Sequence, residues 1–207
     1  MKTTVGIIDY GRGNLRSVAK ALEAVGARVK LSESVQALDG VQGLVLPGVG
    51  AFGDAMAALR KRGLISFIKR AASEGRPLLG VCVGQQLFYE RGTEFGTHEG
   101  LGFFKGSVRH FSAGLKVPHM GWNQVKFRPD FPLAKGLPAN PEFYFVHSYC
   151  GKSPEPGSVA GTTRYGKDRF DSALWRDNIF ATQFHPEKSQ KAGLKIYQNF
   201  WNLVQKD

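Results

Sequence analysis

The residues best suited to covalent chemistry lie in Gly80-Val-Cys-Val-Gly84, where Cys82 has a glycine two residues before it and another two after. An apolar run, Leu78 to Val81, precedes it and reads as a buried strand, and Gln85 to Glu90 reads as helix. Glycine, nucleophile and glycine at this spacing between strand and helix form the pattern of a sharp elbow, with Cys in place of Ser. Such a turn needs small neighbours because it holds the nucleophile in a strained backbone conformation. It also sets the sulfur beside a helix N-terminus, where free N–H groups favour thiolate. A free cysteine is commonly an inert buried apolar residue. The stretch alone leaves both readings open.

A nucleophilic thiol needs a base, and the base is best held by a third group. Of the five histidines, His185 follows an apolar run, Ile179 to Phe184, and stands in His185-Pro-Glu187. Pro186 biases His185 toward extended backbone. Residues two apart in an extended stretch project to one side, so Glu187 can reach one ring nitrogen while the other faces the sulfur. An isolated His-Pro-Glu is also an ordinary solvated turn; beside a cysteine elbow the chemical reading gains. Attack on an amide further needs donors for an oxyanion. The Val83 N–H is one candidate and the backbone of Gly48, Val49 and Gly50 another, although Pro47-Gly-Val-Gly50 reads equally well as a plain strand-to-helix turn.

Elements able to position these groups can be read along the chain. Thr3 to Asp9 is an apolar strand, followed by a tight Gly11-Arg-Gly-Asn14 loop. Leu15, Val18, Ala19, Leu22 and Val25 recur at helical spacing, with Asn14 as N-cap and Gly26 as stop. Ala27–Leu31 and Gly43–Leu46 read as strands, and 54–60 and 64–74 as helices. This alternation predicts an α/β fold with a mostly parallel central sheet and helices on both faces. Gly11–Asn14, Pro47–Gly50 and Cys82 all follow strand ends, where open parallel sheets bind ligands. The second half adds strands at 101–111, 120–127, 142–149, 158–165, 170–175 and 179–184, an antiparallel region closed by a helix over 192–204. Without a repeat or linker, residues 1–207 read as a single domain.

Composition sets outer bounds. The 207 residues, 42% hydrophobic and 22% charged, suit a globular protein. No signal segment or membrane-spanning apolar run is visible, and only two cysteines occur, so a reducing cytoplasm is expected. No Cys or His spacing suggests a metal site. The net charge of +11 raises the question of nucleic acid. The basic residues are scattered, however, and no nucleic-acid-binding motif is present; an anionic metabolite or acidic protein partner accounts for the charge equally well.

Gly80-Val-Cys-Val-Gly-Gln-Gln86 together with His185-Pro-Glu187 resembles the class I (triad) glutamine amidotransferases. Asp9-Tyr-Gly-Arg-Gly-Asn14, Leu46-Pro-Gly-Val-Gly50, Pro118-His-Met-Gly-Trp-Asn123, Tyr144-Phe-Val-His-Ser-Tyr149 and Gln183-Phe-His-Pro-Glu-Lys188 are similar, within that class, to the glutaminase subunits of imidazole glycerol phosphate synthases. The resemblance spans nearly the whole chain. It implies the flavodoxin-like amidotransferase fold, no cofactor, and a Cys82–His185–Glu187 triad that hydrolyses L-glutamine through a thioester. It implies further that Gln86, His147, Ser148 and Tyr149 hold the glutamine. The ammonia would pass to a (β/α)8-barrel cyclase subunit in a heterodimer, met by Asn14, Trp122, Tyr144 and Lys188. There it joins a ribulosyl intermediate to give imidazole glycerol phosphate and an aminoimidazole carboxamide ribotide. Lys188, read as opening the last helix, opposes the helix dipole, and a carboxylate on the partner would offset that cost. The same resemblance implies that the Gly48–Gly50 peptide must reorient before the isolated subunit becomes active, which glycine permits. Gln85 departs from the family, where an apolar residue commonly precedes the key glutamine. The rival readings are another glutaminase of the class, serving a pyridoxal phosphate or anthranilate precursor, and a non-catalytic basic binding protein.

Overall fold

The computed structural model describes residues 3–206. The first half alternates strand and helix: β1 (Val5–Ile8), α1 (Leu15–Ala24), β2 (Val29–Ser32), α2 (Val35–Leu38), β3 (Gly43–Gly48), α3 (Phe52–Lys61), α4 (Leu64–Ser73), β4 (Leu78–Cys82) and the single turn α5 (Val83–Gln86). Strands dominate afterwards: β5 (Tyr89–Gly92), β6 (His98–Glu99), β7 (Phe104–His110), β8 (His119–Gln124), β9 (Lys126–Phe127), β10 (Glu142–His147), β11 (Tyr149–Lys152), β12 (Val159–Tyr165), β13 (Asp168–Arg176) and β14 (Ile179–Thr182). A 3-10 turn, Pro186–Lys188, then leads into α6 (Gln190–Val204).

The main sheet has eight strands in the order β2-β1-β3-β4-β14-β13-β12-β9. Its first five strands are parallel and the remainder antiparallel. The chain runs outward from β1 through α1 to β2, then returns past β1 to β3, so the strand order reverses between β1 and β3. Right-handed crossovers on either side of that reversal put α1 and α3–α4 on opposite faces. α1 packs with α6, and α3 with α4. β1, β3 and β4 are buried along their whole length, which is why they read as continuous apolar runs rather than alternations.

Two smaller sheets flank this core. β8 and β10 form a two-stranded antiparallel ribbon, and β11-β7-β5-β6 a four-stranded sheet. β5 and the shortness of α5 correct the expected helix over Gln85–Glu90. Leu87 and Phe88 carbonyls accept from Leu101 and Phe104 N–H groups, and β5 pairs in parallel with β7. The sequence Leu-Phe-Tyr-Glu suits either state, and tertiary pairing decides for strand.

Candidate active site

Cys82 closes β4 and turns the chain into α5 with φ 57° and ψ −112°. A non-glycine residue in that region is strained by roughly 1–3 kcal/mol and persists only where its surroundings enforce it. Gly84 supplies the enforcement through space rather than torsion, since a Cβ there would overlap the Leu46 carbonyl oxygen on β3. Gly80 is bound similarly, with a Cβ falling 2.8 Å from the Gly84 oxygen. The elbow glycines therefore let α5 press onto β3. In that pairing Gly48 is the register partner of Cys82, so the Gly48–Gly50 loop lies beside the sulfur.

His185 follows β14, the other neighbour of β4. Its Nδ1 lies 2.8 Å from Glu187 Oε1, and both side chains are buried, at 4% and 1% exposure. Burial disfavours the imidazolium, but the Cys82 sulfur and then Glu187 outweigh it and raise the His185 pKa to about 10. Nε2 is buried without a hydrogen bond of good geometry. Glu187 reaches the ring from a 3-10 turn and not from the extended stretch expected, because Pro186 starts a helical turn as readily as it extends the residue before it.

Glu187 and the backbone of His185 are held by residues at the start of α1 and α6 and on the face of α6. Asn14 occupies the cap position of α1 but makes no capping bond; its amide instead reaches Glu187 Oε1 at 3.4 Å. Tyr197 of α6 donates to Glu187 Oε2 at 3.4 Å. Ser189, at the cap of α6 and likewise not capping it, donates to the His185 carbonyl at 2.6 Å and accepts from the Tyr144 N–H at 3.0 Å. The His185 N–H in turn donates to the Tyr144 carbonyl at 3.0 Å.

One pocket gathers Cys82, Val83, Gln86, Val49, Gly50 and His185. His147, Ser148, Tyr149, Asn14 and Lys188 also line it. Gly48 and Glu187 stand behind the lining, and Trp122 and Tyr144 lie on the outer face of the β8–β10 ribbon, in register with each other. Their rings meet edge to face, with centroids 6.3 Å apart. Lys188 ends the 3-10 turn two residues before α6, so the expected conflict with the helix dipole is reduced; its Nζ sits 5.7 Å from the Tyr144 ring centroid. Gln85 faces away from the pocket and donates to the Asp171 carbonyl at 3.0 Å. Among the described residues no cluster of three or more His, Cys, Asp or Glu could hold a metal ion, and no helix is long and apolar enough to cross a membrane.

The sequence model of the family described as glutamine amidotransferase class-I matches residues 6–203. The chain belongs to the class I glutamine amidotransferase family. Relatives of this amidotransferase include the imidazole glycerol phosphate synthase subunit HisH of Desulfitobacterium hafniense, 49% identical over 98% of this chain and 96% of that one. The HisH subunit of Aquifex aeolicus is 48% identical, covering 100% and 99%. In fold the amidotransferase is similar to a solved glutamine amidotransferase, with TM-score 0.76 and 20% identity over 98% and 99% of the two chains. A structure titled PurLQS from Thermotoga maritima gives TM-score 0.76 and 21% identity over 99% and 100%.

The histidines of the amidotransferase pocket carry a polarity that can be read from one atom. The Tyr149 carbonyl can only accept, so His147 Nδ1, 2.8 Å away, bears a proton. His147 Nε2 then accepts from His119 Nδ1 at 3.1 Å, and His119 Nε2 accepts from the Asn123 amide at 3.1 Å. Burial lowers the pKa of His147 to about 3 and of His119 to about 4, keeping both neutral. With both ring nitrogens engaged, His147 offers the pocket its shape and backbone. Sequence reasoning reached His147 by resemblance but missed His119, whose alternation with Met120 along β8 marks it as inward-facing.

Proposed function

We propose that Cys82, His185 and Glu187 hydrolyse L-glutamine, and that this chain is the ammonia-producing subunit of an imidazole glycerol phosphate synthase. The observation that carries the reading is His185 poised between the buried Glu187 carboxylate and the Cys82 sulfur, in a pocket that Gln86 also lines. The thiolate attacks the side-chain amide carbon. The oxyanion meets the Val83 N–H and the Gly48–Val49–Gly50 backbone. The His185 imidazolium gives its Nε2 proton to the departing nitrogen, which leaves as ammonia, and a thioester remains. Neutral His185 then takes a proton from water, the resulting hydroxide adds to the thioester, and thiolate is expelled as glutamate forms. Glu187 stabilises the imidazolium whenever it forms.

Residues 1–207 act in this reading as one domain, in the cytoplasm, where free Cys82 and Cys150 persist as thiols. The partner in this reading is a (β/α)8 cyclase forming a heterodimer; in support, the relatives are named as subunits of a synthase. An exposed apolar face beside the pocket supports a partner there: Met120 is 62% and Trp122 46% exposed, paired across the ribbon with Val146 and Tyr144. Val146 also lines the pocket, so this face borders the mouth from which ammonia must leave. Lys188 pairs with an acidic residue of the cyclase. Ammonia release from glutamine is the measurement. It should rise at least tenfold when the cyclase and its nucleotide ligand are added, through reorientation at Gly48–Gly50. Equal rates with and without them would remove the partner control, and unaltered association of Lys188→Glu with the cyclase would remove the ion pair.

A further inference from the structure

Gln183 is fully buried directly after β14 and does not line the pocket, yet its side chain lies between two groups that do. The orientation of its amide follows from the fixed polarity of Tyr149. Because the Tyr149 carbonyl only accepts, the Gln86 atom 2.9 Å from it must be the amide nitrogen. That nitrogen is also 3.0 Å from a Gln183 side-chain atom, which must therefore be the oxygen. The remaining end of Gln183, its Nε2, is turned to Cys82 Sγ at 3.9 Å, within reach of a long N–H···S bond. A single backbone oxygen thus fixes a chain of donors running from Tyr149 through Gln86 and Gln183 to the nucleophile.

This arrangement has two chemical results. Both amide hydrogens of Gln86 are spent inside the protein, so toward a ligand it can act only as acceptor, through Oε1. It then favours a ligand group with N–H to give, such as an ammonium or primary amide, over a carboxylate. At the other end, the donor facing sulfur binds a thiolate better than a thiol, because hydrogen bonds to a charged acceptor are the stronger ones. The geometry points to Gln183 as a positioning residue that sets the acceptor polarity of Gln86 toward substrate and holds the Cys82 sulfur by one N–H donor. The inference rests on the proposed reading of Cys82 as nucleophile and Gln86 as substrate clamp.

Two variants of the full chain, assayed with the cyclase, separate the two ends. Gln183→Glu keeps an acceptor for Gln86 but, once ionised, has no donor for sulfur. KM for glutamine should stay within about threefold, kcat should fall about tenfold or more, and the pH at which iodoacetamide half-maximally alkylates Cys82 should move upward. Gln183→Met removes both contacts and should also raise KM by about tenfold. A folded Gln183→Glu with the wild-type kcat and alkylation profile would overturn the inference, as would a folded Gln183→Met with wild-type KM. Should Gln183→Met not fold, Gln183→Glu alone decides. Cys82→Ala serves as the separate control: glutaminase activity surviving in it would defeat the reading of the site, whereas its loss beside unaffected Gln183 variants would defeat only the role of Gln183.

Discussion

Asn14 and Ser189 occupy helix cap positions and neither caps. Each gives its side chain to the His-Pro-Glu turn instead. A cap contributes about 1 kcal/mol, so two helices are left without that stabilisation while the proposed triad gains two tethers. Asn14→Ser tests this directly, because Ser is an equally good cap that cannot span the gap to Glu187. Its melting temperature should match or exceed that of the wild type, while kcat for glutamine hydrolysis drops about threefold to tenfold. A stability loss with unchanged kcat would show that Asn14 serves the helix after all. The same residues explain what was legible in the sequence. Cys82, His185 and Glu187, which the fold brings together, sit in short contiguous motifs whose spacing suggested the chemistry proposed for them. Asn14, Ser189, Tyr197 and Gln183 carry local signals of cap, helix face or strand, and only a contact across the fold diverts their side chains to the site.

At the scale of elements, the site is assembled by close approach. α5 is pressed on β3 through Gly84, and α6 on the Pro186–Lys188 turn through Gly193, where a Cβ would overlap the Pro186 carbonyl oxygen. Replacing a helical glycine by alanine ordinarily stabilises by roughly 1 kcal/mol. Overpacking against backbone costs typically 1–3 kcal/mol, so at Gly193 the clash wins. Gly193→Ala should lower stability by up to about 2 kcal/mol in urea unfolding, and glutaminase activity should fall with it, because Pro186 lies between His185 and Glu187. A more stable, fully active Gly193→Ala would contradict this. The parallel half of the fold was readable because its strands are uniformly apolar and glycines such as Gly26 and Gly75, at φ 85° and 83°, end its helices. Around Leu87–Gly92 the reading failed because the partner strand β7 lies beyond a loop, and no local pattern reports it.

For the whole molecule, three buried histidines bound the pH range of stability from both sides. His119 and His147 are held near pKa 4 and 3, below the ordinary value of about 6.5. The unfolded chain binds protons first as pH falls, so stability declines below about pH 6.5, by up to about 1.4 kcal/mol per pH unit for each. His185 is raised to about 10. Its contribution is complete below about pH 6.5 and is lost as pH rises toward 10. Urea unfolding at pH 5, 6.5 and 9 should therefore give greatest stability at the middle value; a monotonic trend would mean the buried network does not govern the profile. The net charge of +11 fits a basic surface opposed to an acidic partner face, the role proposed above for Lys188.

Tyr144 belongs to two neighbourhoods at once. Its ring stands on the outer face of the ribbon with Trp122 and Lys188, while its own N–H and carbonyl grip Ser189 and His185. A body resting on the ring thus touches a residue whose own peptide carbonyl bonds His185, the base proposed above. The path from the outer face of the ribbon to His185 is therefore a single residue long.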